Sequence, residues 1–389
     1  MKLFVLLALV FSVVFGKSAD VGCLFGRREK LRIESLNSPI SEHYGEMANA
    51  KNPWNSVFYG GKLYIASGDY TQSSGNTPIF TYDAASCEWV EAFVTSDDSL
   101  DVFRIIDGRL FAVGNDSTAS YNLGNYYVLD GDTWTAYGDV PNAAHVFDVA
   151  QMGDRLFFGI GTRTGALSPA VCLDSEGIYS SVPFVKGGES LFPSDAFSYS
   201  RVYNFFVLDG TLYAFLVAVR EDGGRSPYEF YRYDGEVFSF VSELDGKGVG
   251  FYKTPVEEKQ KRLSQNFIAY GFERDGYAYF ATGALYRTKD FISFERLSPK
   301  SGAWVSDVAE LGGSRYALGF MDKRLSDGFY CNYIWRLESD GSFTEIAEFI
   351  TDGTYALSLA GDGDVFFVGM GNRAAADGVG EIYKITVGG

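Results

Sequence analysis

The chain has 389 residues, a formal net charge of −17 and an apolar fraction of 46%. That apolar fraction is sufficient for a packed core and excludes a disordered chain. The acidic excess disfavours nucleic acid and anionic membranes as partners, because both carry negative charge. Abundant glycine (45 residues) and a 16% aromatic fraction are typical of many short strands joined by tight turns.

The N-terminal residues 1–16 have the features of a secretory signal peptide. Lys2 gives a positive start, an apolar run of 13 residues follows, and Val14 and Gly16 are small enough for cleavage. The run is too short to span a bilayer comfortably. We therefore expect a secreted, extracellular or periplasmic protein with no membrane insertion after cleavage.

A short sequence pattern recurs seven times after this segment: an apolar run, a two-residue turn of Gly and Asp, and an apolar run that opens with an aromatic residue. The turns are Gly60-Gly61, Asp107-Gly108, Gly153-Asp154, Asp209-Gly210, Asp275-Gly276, Gly312-Gly313 and Asp362-Gly363. Such turns favour tight β-hairpins, because Gly and Asp tolerate positive φ. Their spacing of 37 to 66 residues indicates a repeat fold whose units are small sheets.

Each unit is predicted to contain four strands. In the first unit these cover 56–59, 63–66 and 79–82, followed by a strand that contains Trp89. In later units a turn with Asp again precedes an aromatic residue; these aromatics are Trp134, Phe238, Phe294 and Phe343. The pattern predicts an all-β fold, a seven-bladed β-propeller of four-stranded antiparallel blades, over residues 50–389.

The N-terminal segment 17–49 is predicted to complete the last unit. That unit ends at residues 382–385 and is one strand short, and residues 30–34 have the composition of a strand. Two stretches depart from the repeat. Thr254 begins a predicted short helix that ends near Leu263, because Thr is a good N-cap and Pro255 suits the first helical turn. Residues 185–200, rich in Gly, Ser and Pro, are predicted to be a loop.

Some units also resemble known repeats. The first two carry a glycine after the second strand, then Asp, then Trp: Gly68, Asp83 and Trp89, and Gly114, Asp130 and Trp134. These units resemble the kelch-type repeats of galactose-oxidase-like propellers. Segments 286–290 and 336–341 resemble degenerate Asp-box turns of sialidase-type propellers. Both resemblances imply a propeller architecture.

The resemblance to galactose-oxidase-like enzymes raises the question of copper, which those enzymes hold partly through histidines. Only His43 and His145 are present here, far apart in the repeat. We therefore expect no metal and no other cofactor.

The four cysteines are Cys23, Cys87, Cys172 and Cys331. An exported chain meets an oxidising compartment, which favours disulfides, and three pairings are open. Unpaired, buried cysteines are the alternative.

Polar residues recur at one position of the innermost strands. Six residues before the second turn residue the units carry Asn55, Val102, Asp148, Asn204, Tyr270, Asp307 and Leu357. Four of these seven are Asn or Asp in otherwise apolar strands, which predicts polar side chains near the channel mouth. Two interpretations are open: the side chains hold water or tie one blade to the next, or they form a ring that binds a polar ligand.

Other residues at or just before the strand starts strengthen the ligand interpretation, because aromatic rings beside amides and carboxylates are typical of sugar sites. The candidate ligand-binding residues are Trp54, Asn55, His145, Asp148, Arg201, Asn204, Asn266, Trp304 and Asp307.

An enzymatic interpretation uses the same face. Asp148 and Asp307 are candidates for the two carboxylates of a glycosidase, although they belong to the third and sixth units. Sialidase-like enzymes bind a substrate carboxylate through arginines, and the loops between the second and third strands carry Arg163, Arg220, Arg324 and Arg373.

Our leading hypothesis is a secreted, non-catalytic, monomeric propeller that binds an extracellular glycan or protein through one rim face. The alternative is a secreted carbohydrate-active enzyme, a sialidase-like glycoside hydrolase or lyase. A third hypothesis is a structural or adhesive surface protein with ligand contacts spread over its loops.

Overall fold

The computed structural model describes residues 31–119, 123–162, 167–194, 196–222, 228–244, 269–322, 329–372 and 377–387. Several sequence predictions lie outside these residues: the signal peptide at 1–16, Cys23, the helix at 254–263, the candidate Asn266, and the loop residues Arg163, Arg324 and Arg373. In the described ranges, no helix is long and apolar enough to cross a membrane.

The regular structure of the described chain consists of strands and one short helix. It begins with β1 (Leu31–Ser35) and α1 (Ile40–Tyr44). The first unit holds β2 (Asn55–Tyr59), β3 (Lys62–Ala66), β4 (Pro78–Asp83) and β5 (Glu88–Val94). The second holds β6 (Asp97–Ile106), β7 (Arg109–Ser117), β8 (Leu123–Asp130) and β9 (Thr133–Pro141). The third holds β10 (His145–Met152), β11 (Arg155–Gly161), β12 (Ala170–Leu173) and β13 (Tyr179–Ser181).

The remaining units follow the same order. A hairpin of β14 (Phe184–Lys186) and β15 (Glu189–Ser190) precedes the fourth unit, which holds β16 (Phe197–Leu208), β17 (Thr211–Arg220), β18 (Glu229–Tyr233) and β19 (Phe238–Glu243). The next holds β20 (Ala269–Arg274), β21 (Tyr277–Ala281), β22 (Leu285–Thr288) and β23 (Glu295–Leu297). The next holds β24 (Trp304–Leu311), β25 (Ser314–Asp322), β26 (Phe329–Leu337) and β27 (Phe343–Asp352). The last holds β28 (Tyr355–Asp362), β29 (Val365–Gly371) and β30 (Ile382–Val387).

The innermost strands of the units contact one another in chain order. Contacts run from β2 through β6, β10, β16, β20, β24 and β28, and β28 contacts β2 again. Side chains from neighbouring units fill the space between the sheets; between the first and second units, for example, Tyr64 and Tyr127 are buried with Trp134 packed against them. Four-stranded antiparallel sheets arranged face to face around a ring are the architecture of a β-propeller.

The predicted hairpin turns are confirmed at six positions, and the seventh is shifted by one residue. The first turn residue has positive φ throughout, from 47° at Asp107 to 64° at Gly153. In the last unit Asp362 pairs with Val365, so the turn is Gly363-Asp364 rather than Asp362-Gly363. The position equivalent to Asn55 is therefore Ser358, and the assignment of Leu357 to it is wrong.

The prediction of a loop over residues 185–200 is wrong in part. β14 and β15 form a hairpin there, and β14 pairs in parallel with β19 at the outer edge of the fourth unit. Phe184 and Phe192 are buried in the core of that unit, which explains why the segment lies against it. The hairpin covers backbone groups of an edge strand that would otherwise face solvent.

The outer hairpins are held by aspartates. The Oδ1 atom of Asp83 accepts hydrogen bonds from the backbone N–H groups of Ala85 and Ser86, at 2.8 and 3.0 Å. Asp234 and Asp290 accept the same pair of bonds two and three residues further along the chain. These backbone donors hold the pKa of Asp83 and Asp234 below the usual value. The aspartates of these turns therefore have a local structural role.

The described cysteines form no disulfide. None of Cys87, Cys172 and Cys331 is joined to another cysteine in the described part of the chain, and Cys23 lies outside the described residues. Cys87 is in an exposed turn, whereas Cys172 and Cys331 are buried in the cores of different units. Pairing among these three would require the units to come apart.

The N-terminal strand β1 is the fourth strand of the last unit. It pairs antiparallel with β30, from Leu31 opposite Val387 to Ser35 opposite Tyr383. Leu31 and Ile33 pack against the hydrophobic cluster of that unit. The two ends of the described chain are thereby joined in one sheet.

We expect a chain that begins at Leu36, and so lacks β1, to melt lower than a matched control that begins at Leu31. Without β1 the edge of β30 and part of its apolar cluster are exposed, so the melting temperature should fall by roughly 5 °C or more. Differential scanning calorimetry of the two truncations provides the measurement. Equal melting temperatures would contradict a closing role for β1.

Candidate functional site

The polar residues six positions before the turn connect neighbouring units. In three of them a side-chain oxygen accepts the backbone N–H of the next unit's innermost strand. The pairs are Asn55 Oδ1 with Phe103 N at 3.0 Å, Asp148 Oδ2 with Phe205 N at 2.8 Å, and Asp307 Oδ2 with Leu359 N at 2.8 Å. We refer to these three hydrogen bonds as the inter-sheet ties. They support the interpretation in which the Asn and Asp residues hold the blades together.

The two aspartates of the ties are buried and have several donors each. Asp148 is fully buried, and Arg104 contacts both of its carboxylate oxygens, at 2.8 and 2.9 Å. Asp307 also accepts the N–H of Val308 at 2.9 Å. A glycosidase acid or base must reach a substrate in a cleft. The positions of Asp148 and Asp307 therefore give no support to their use as a catalytic pair.

Two further candidates are buried at the same end of the strands. Asn204 is 1% exposed, and Trp54 is fully buried and donates its Nε1–H to the carbonyl of Gly68 at 2.8 Å. Trp304 is partly exposed and packs with Trp54 in a cluster that also contains Tyr330 and Tyr355. The structure thus brings Trp54 and Trp304 together, away from His145 and Arg201.

His145 and Arg201 meet in a second group of side chains, which we call the Arg201 cluster. Its members come from four units: Tyr70, Asp116, His145, Phe147, Tyr199, Arg201 and Tyr203. The backbone explains the meeting, because His145 pairs with Gly161 on one side and Arg201 pairs with Gly161 on the other. A Cβ atom on Gly161 would lie 2.7 Å from the His145 ring, so only glycine leaves room for it.

The guanidinium of Arg201 lies among aromatic rings. Its Cζ atom is 4.8 Å from the ring centre of Tyr199, 5.4 Å from Phe147 and 5.8 Å from Tyr203. Nη1 also donates to the Tyr203 hydroxyl at 2.9 Å. Within the described residues Arg201 forms no ion pair, and it is partly exposed. The rings fix the orientation of the cation and leave donors for a further acceptor.

His145 connects this guanidinium to the loop between β3 and β4. Its ring lies 5.0 Å from Phe147, nearly parallel, and 5.1 Å from Tyr70 in that loop. Its Nδ1 atom is 3.5 Å from Asp116 Oδ1. Tyr70, Tyr199, Asp116 and Arg201 are all partly exposed, so a ligand can reach the group.

The units can also be aligned three residues closer to the strand starts, and this alignment contains His145 and Arg201 of the Arg201 cluster. Nine residues before the second turn residue, the described units carry Asn52, Ser99, His145, Arg201, Trp304 and Tyr355. This ring is richer in aromatic and cationic residues than the one that contains the ties. The sequence pattern that indicates this ring lies in the same repeat, three residues closer to the strand start. Tyr70 and Tyr199 lie outside both alignments, so only the structure identifies them.

A cavity of about 260 Å³ lies nearer the turn ends of β6, β10 and β16. Its lining is mainly apolar, with Ile105, Val149 and Phe205 among the contacts. Its polar groups already have partners, because Arg104 pairs with Asp148 and Gln151 donates to Asp107 at 2.6 Å. This cavity therefore offers a ligand fewer polar contacts than the Arg201 cluster does.

The remaining site predictions receive no support from the described residues. Arg220 pairs with Asp222 at 3.2 Å, and Arg163, Arg324 and Arg373 lie outside the described ranges.

No group of three or more His, Cys, Asp or Glu side chains suited to a metal ion occurs in the part of the chain that the structure describes.

A buried carboxyl group lies behind the loop that carries Tyr70. Asp97 is fully buried at the start of β6; Tyr127 Oη donates to its Oδ2, as does Asn125 Nδ2 at 3.1 Å. Burial raises the pKa of Asp97 to about 7, although these two hydrogen bonds lower it in part. The backbone carbonyl of Asp97 accepts the N–H of Thr77, and that of Asp98 accepts the N–H of Asp69. The segment therefore holds both ends of the Tyr70 loop.

Comparison with known proteins finds only distant structural likeness. No protein-family model matches the sequence, and no curated protein matches it. Among solved structures, the β-propeller domain of the Trilobed protease from Pyrococcus furiosus is similar, with a TM-score of 0.47, 11% identity, and coverage of 85% of this chain and 92% of that one. The acylaminoacyl peptidase of Pyrococcus horikoshii has a TM-score of 0.48 and 11% identity; the match covers 89% of this chain but 53% of the peptidase. Saccharomyces cerevisiae Sqt1 has a TM-score of 0.42 and 10% identity, with coverage of 87% and 86%. Likeness this low says nothing about an activity or partner of this chain.

We expect Asp307→Ala to lower the free energy of unfolding by about 2–4 kcal/mol, because two buried backbone N–H groups lose their acceptor. Asp307→Asn keeps an acceptor for Leu359 and should cost about 1 kcal/mol. Asp148→Asn should cost about 3–5 kcal/mol, because Arg104 loses its charge partner. Urea unfolding gives these values, with the exposed Asp132→Ala as a control near zero. An Asp307→Ala protein as stable as the wild type would contradict the inter-sheet ties.

We expect the stability of the wild type to fall between about pH 4 and pH 7 relative to Asp97→Asn. The folded-state pKa of Asp97 is raised, so the folded state binds the proton more tightly than the unfolded state and loses this advantage as pH rises to about 7. The difference between this pKa and the usual value for Asp corresponds to a loss on the order of 4 kcal/mol. Urea unfolding of both proteins at several pH values measures the difference, and parallel curves would refute the assignment.

Proposed function

We propose that the protein is a secreted, non-catalytic, monomeric β-propeller of seven four-stranded blades that binds an extracellular glycan at the face where the innermost strands begin. The Arg201 cluster carries this proposal. It combines several aromatic faces with a cation and an imidazole, and four of its members are partly exposed. Ligand sites typically combine aromatic surface with a few oriented polar groups in this way.

Seven blades are supported by the order of contacts between the innermost strands and by the pairing of β1 with β30. The kelch-type relation of the first two units belongs to the same proposal. Gly68 has φ of 101°, and a Cβ atom there would lie 2.4 Å from the carbonyl oxygen of Asp98 in the next unit. A glycine after the second strand is thus required by the close approach of the neighbouring blade.

A glycan fits the site better than a protein partner does. A stable protein interface buries about 800 Å² on each side. The large apolar side chains that are exposed in the described chain, such as Val90, Ile105 and Ile350, lie outside the Arg201 cluster. The cluster itself is compact and mixed in polarity, which suits one or two sugar units.

Export rests on the signal-like segment at residues 1–16, and the acidic surface suits a soluble extracellular protein. Asp148 and Asp307 are engaged in the inter-sheet ties, so these two carboxylates give no support to the enzymatic alternative.

A glycan array probed with the secreted protein, followed by chromatography of the bound glycans, tests the proposal. We expect binding without release of any product. Tyr70→Ala and Tyr199→Ala should each weaken binding by about threefold to tenfold, since one stacking face is lost. Tyr137→Ala, on the outer strand β9, is the matched control and should have no effect. Product release would indicate an enzyme, and an array without any bound glycan would contradict the proposal.

A further inference from the structure

The surroundings of Arg201 differ from those of several other arginines in the described chain. Arg104 lies on the innermost strand β6. Its guanidinium contacts both carboxylate oxygens of Asp148. Arg287 and Arg315 likewise pair with Glu295 and Glu310, at 2.7 and 3.7 Å. The fold thus supplies carboxylates to several of its guanidinium groups.

Around Arg201 the described residues place the aromatic rings of Phe147, Tyr199 and Tyr203. The one acidic member of the cluster, Asp116, lies beside His145 at 3.5 Å. Among the described residues Arg201 thus contacts rings and the Tyr203 hydroxyl and forms no ion pair, in a chain that carries fifty acidic residues.

The same rings hold the guanidinium in place before any ligand arrives. Contacts with Tyr199, Phe147 and Tyr203, and the hydrogen bond to the Tyr203 hydroxyl, restrict its rotation. A restricted side chain loses less entropy when it binds a ligand. Its planar array of N–H groups matches the two oxygens of a carboxylate or the oxygens of a sulfate.

We propose that Arg201 binds an acidic group on the glycan, either a carboxylate or a sulfate, and that the ligand is therefore an acidic rather than a neutral sugar. This inference rests on the proposed function. Long-range repulsion from the net charge of −17 opposes an acidic ligand, so recognition depends on the local contact with Arg201.

Two matched pairs of probes isolate the charge. Oligogalacturonides and their methyl-esterified forms have the same sugar with and without a carboxylate charge, and dextran sulfate and dextran differ in sulfate. We expect calorimetry on the wild-type protein to give an affinity at least tenfold higher for the charged member of one pair. Which pair responds identifies the acidic group.

Substitutions at Arg201 assign the effect to one side chain. Arg201→Gln should weaken binding of the charged probe by about 10- to 100-fold and leave the neutral probe within about twofold. Arg201→Lys keeps the charge but loses the paired N–H groups, so it should fall between the wild type and Arg201→Gln. Arg232→Gln, at an exposed position on β18, makes the same charge change and should bind like the wild type.

Melting curves establish whether the variants are folded. If Arg201→Gln does not fold, Arg201→Lys provides the test. Equal affinity for charged and neutral probes, or an equal loss of both in the Arg201 variants, would overturn the inference while the proposed function stands. Binding of only neutral glycans on the array would likewise overturn the inference and leave the proposed function standing. An array that binds nothing would overturn the proposed function as well.

Discussion

A carboxylate or amide oxygen on one innermost strand that accepts a backbone N–H of the next is the interaction on which this fold depends. Sheets packed face to face bury their aromatic surfaces, but apolar contact alone does not fix how far one sheet slides along its neighbour. A buried hydrogen bond does, because its loss leaves an unpaired backbone group. Asn55, Asp148 and Asp307 each provide such a bond to the following unit.

This constraint separates the scaffold from the binding face. The residues of the Arg201 cluster on these strands lie three positions nearer the strand start than the ties do. Arg201 and His145 occupy that outer level on one side of the ring, and Trp304 and Tyr355 occupy it on another. The oxygens of the ties are already engaged in hydrogen bonds between units, whereas Tyr70, Tyr199 and Arg201 of the Arg201 cluster are partly exposed.

The sequence predicts much of the fold because turn chemistry is local. Gly and Asp at positive φ mark the hairpins, and an Asp before an aromatic marks the outer turn. The failures have physical causes. Residues 362–364 read Asp-Gly-Asp, so two adjacent turns satisfy the same preference and only strand pairing decides. The parallel pairing of β14 with β19 depends on the burial of Phe184, a non-local contact. His145 and Arg201 were identified through their strand starts, whereas Tyr70 depends on how a loop folds over the next blade.

Hydrogen exchange of individual amides tests the central claim most directly. The N–H groups of Phe103, Phe205 and Leu359 are bound by side chains of a neighbouring sheet. Our account predicts that they exchange as slowly as the most protected amides of the strand ladders, because they open only when the blades separate. Exchange as fast as that of the exposed turn at Gly131 would show that the oxygens do not hold the blades together.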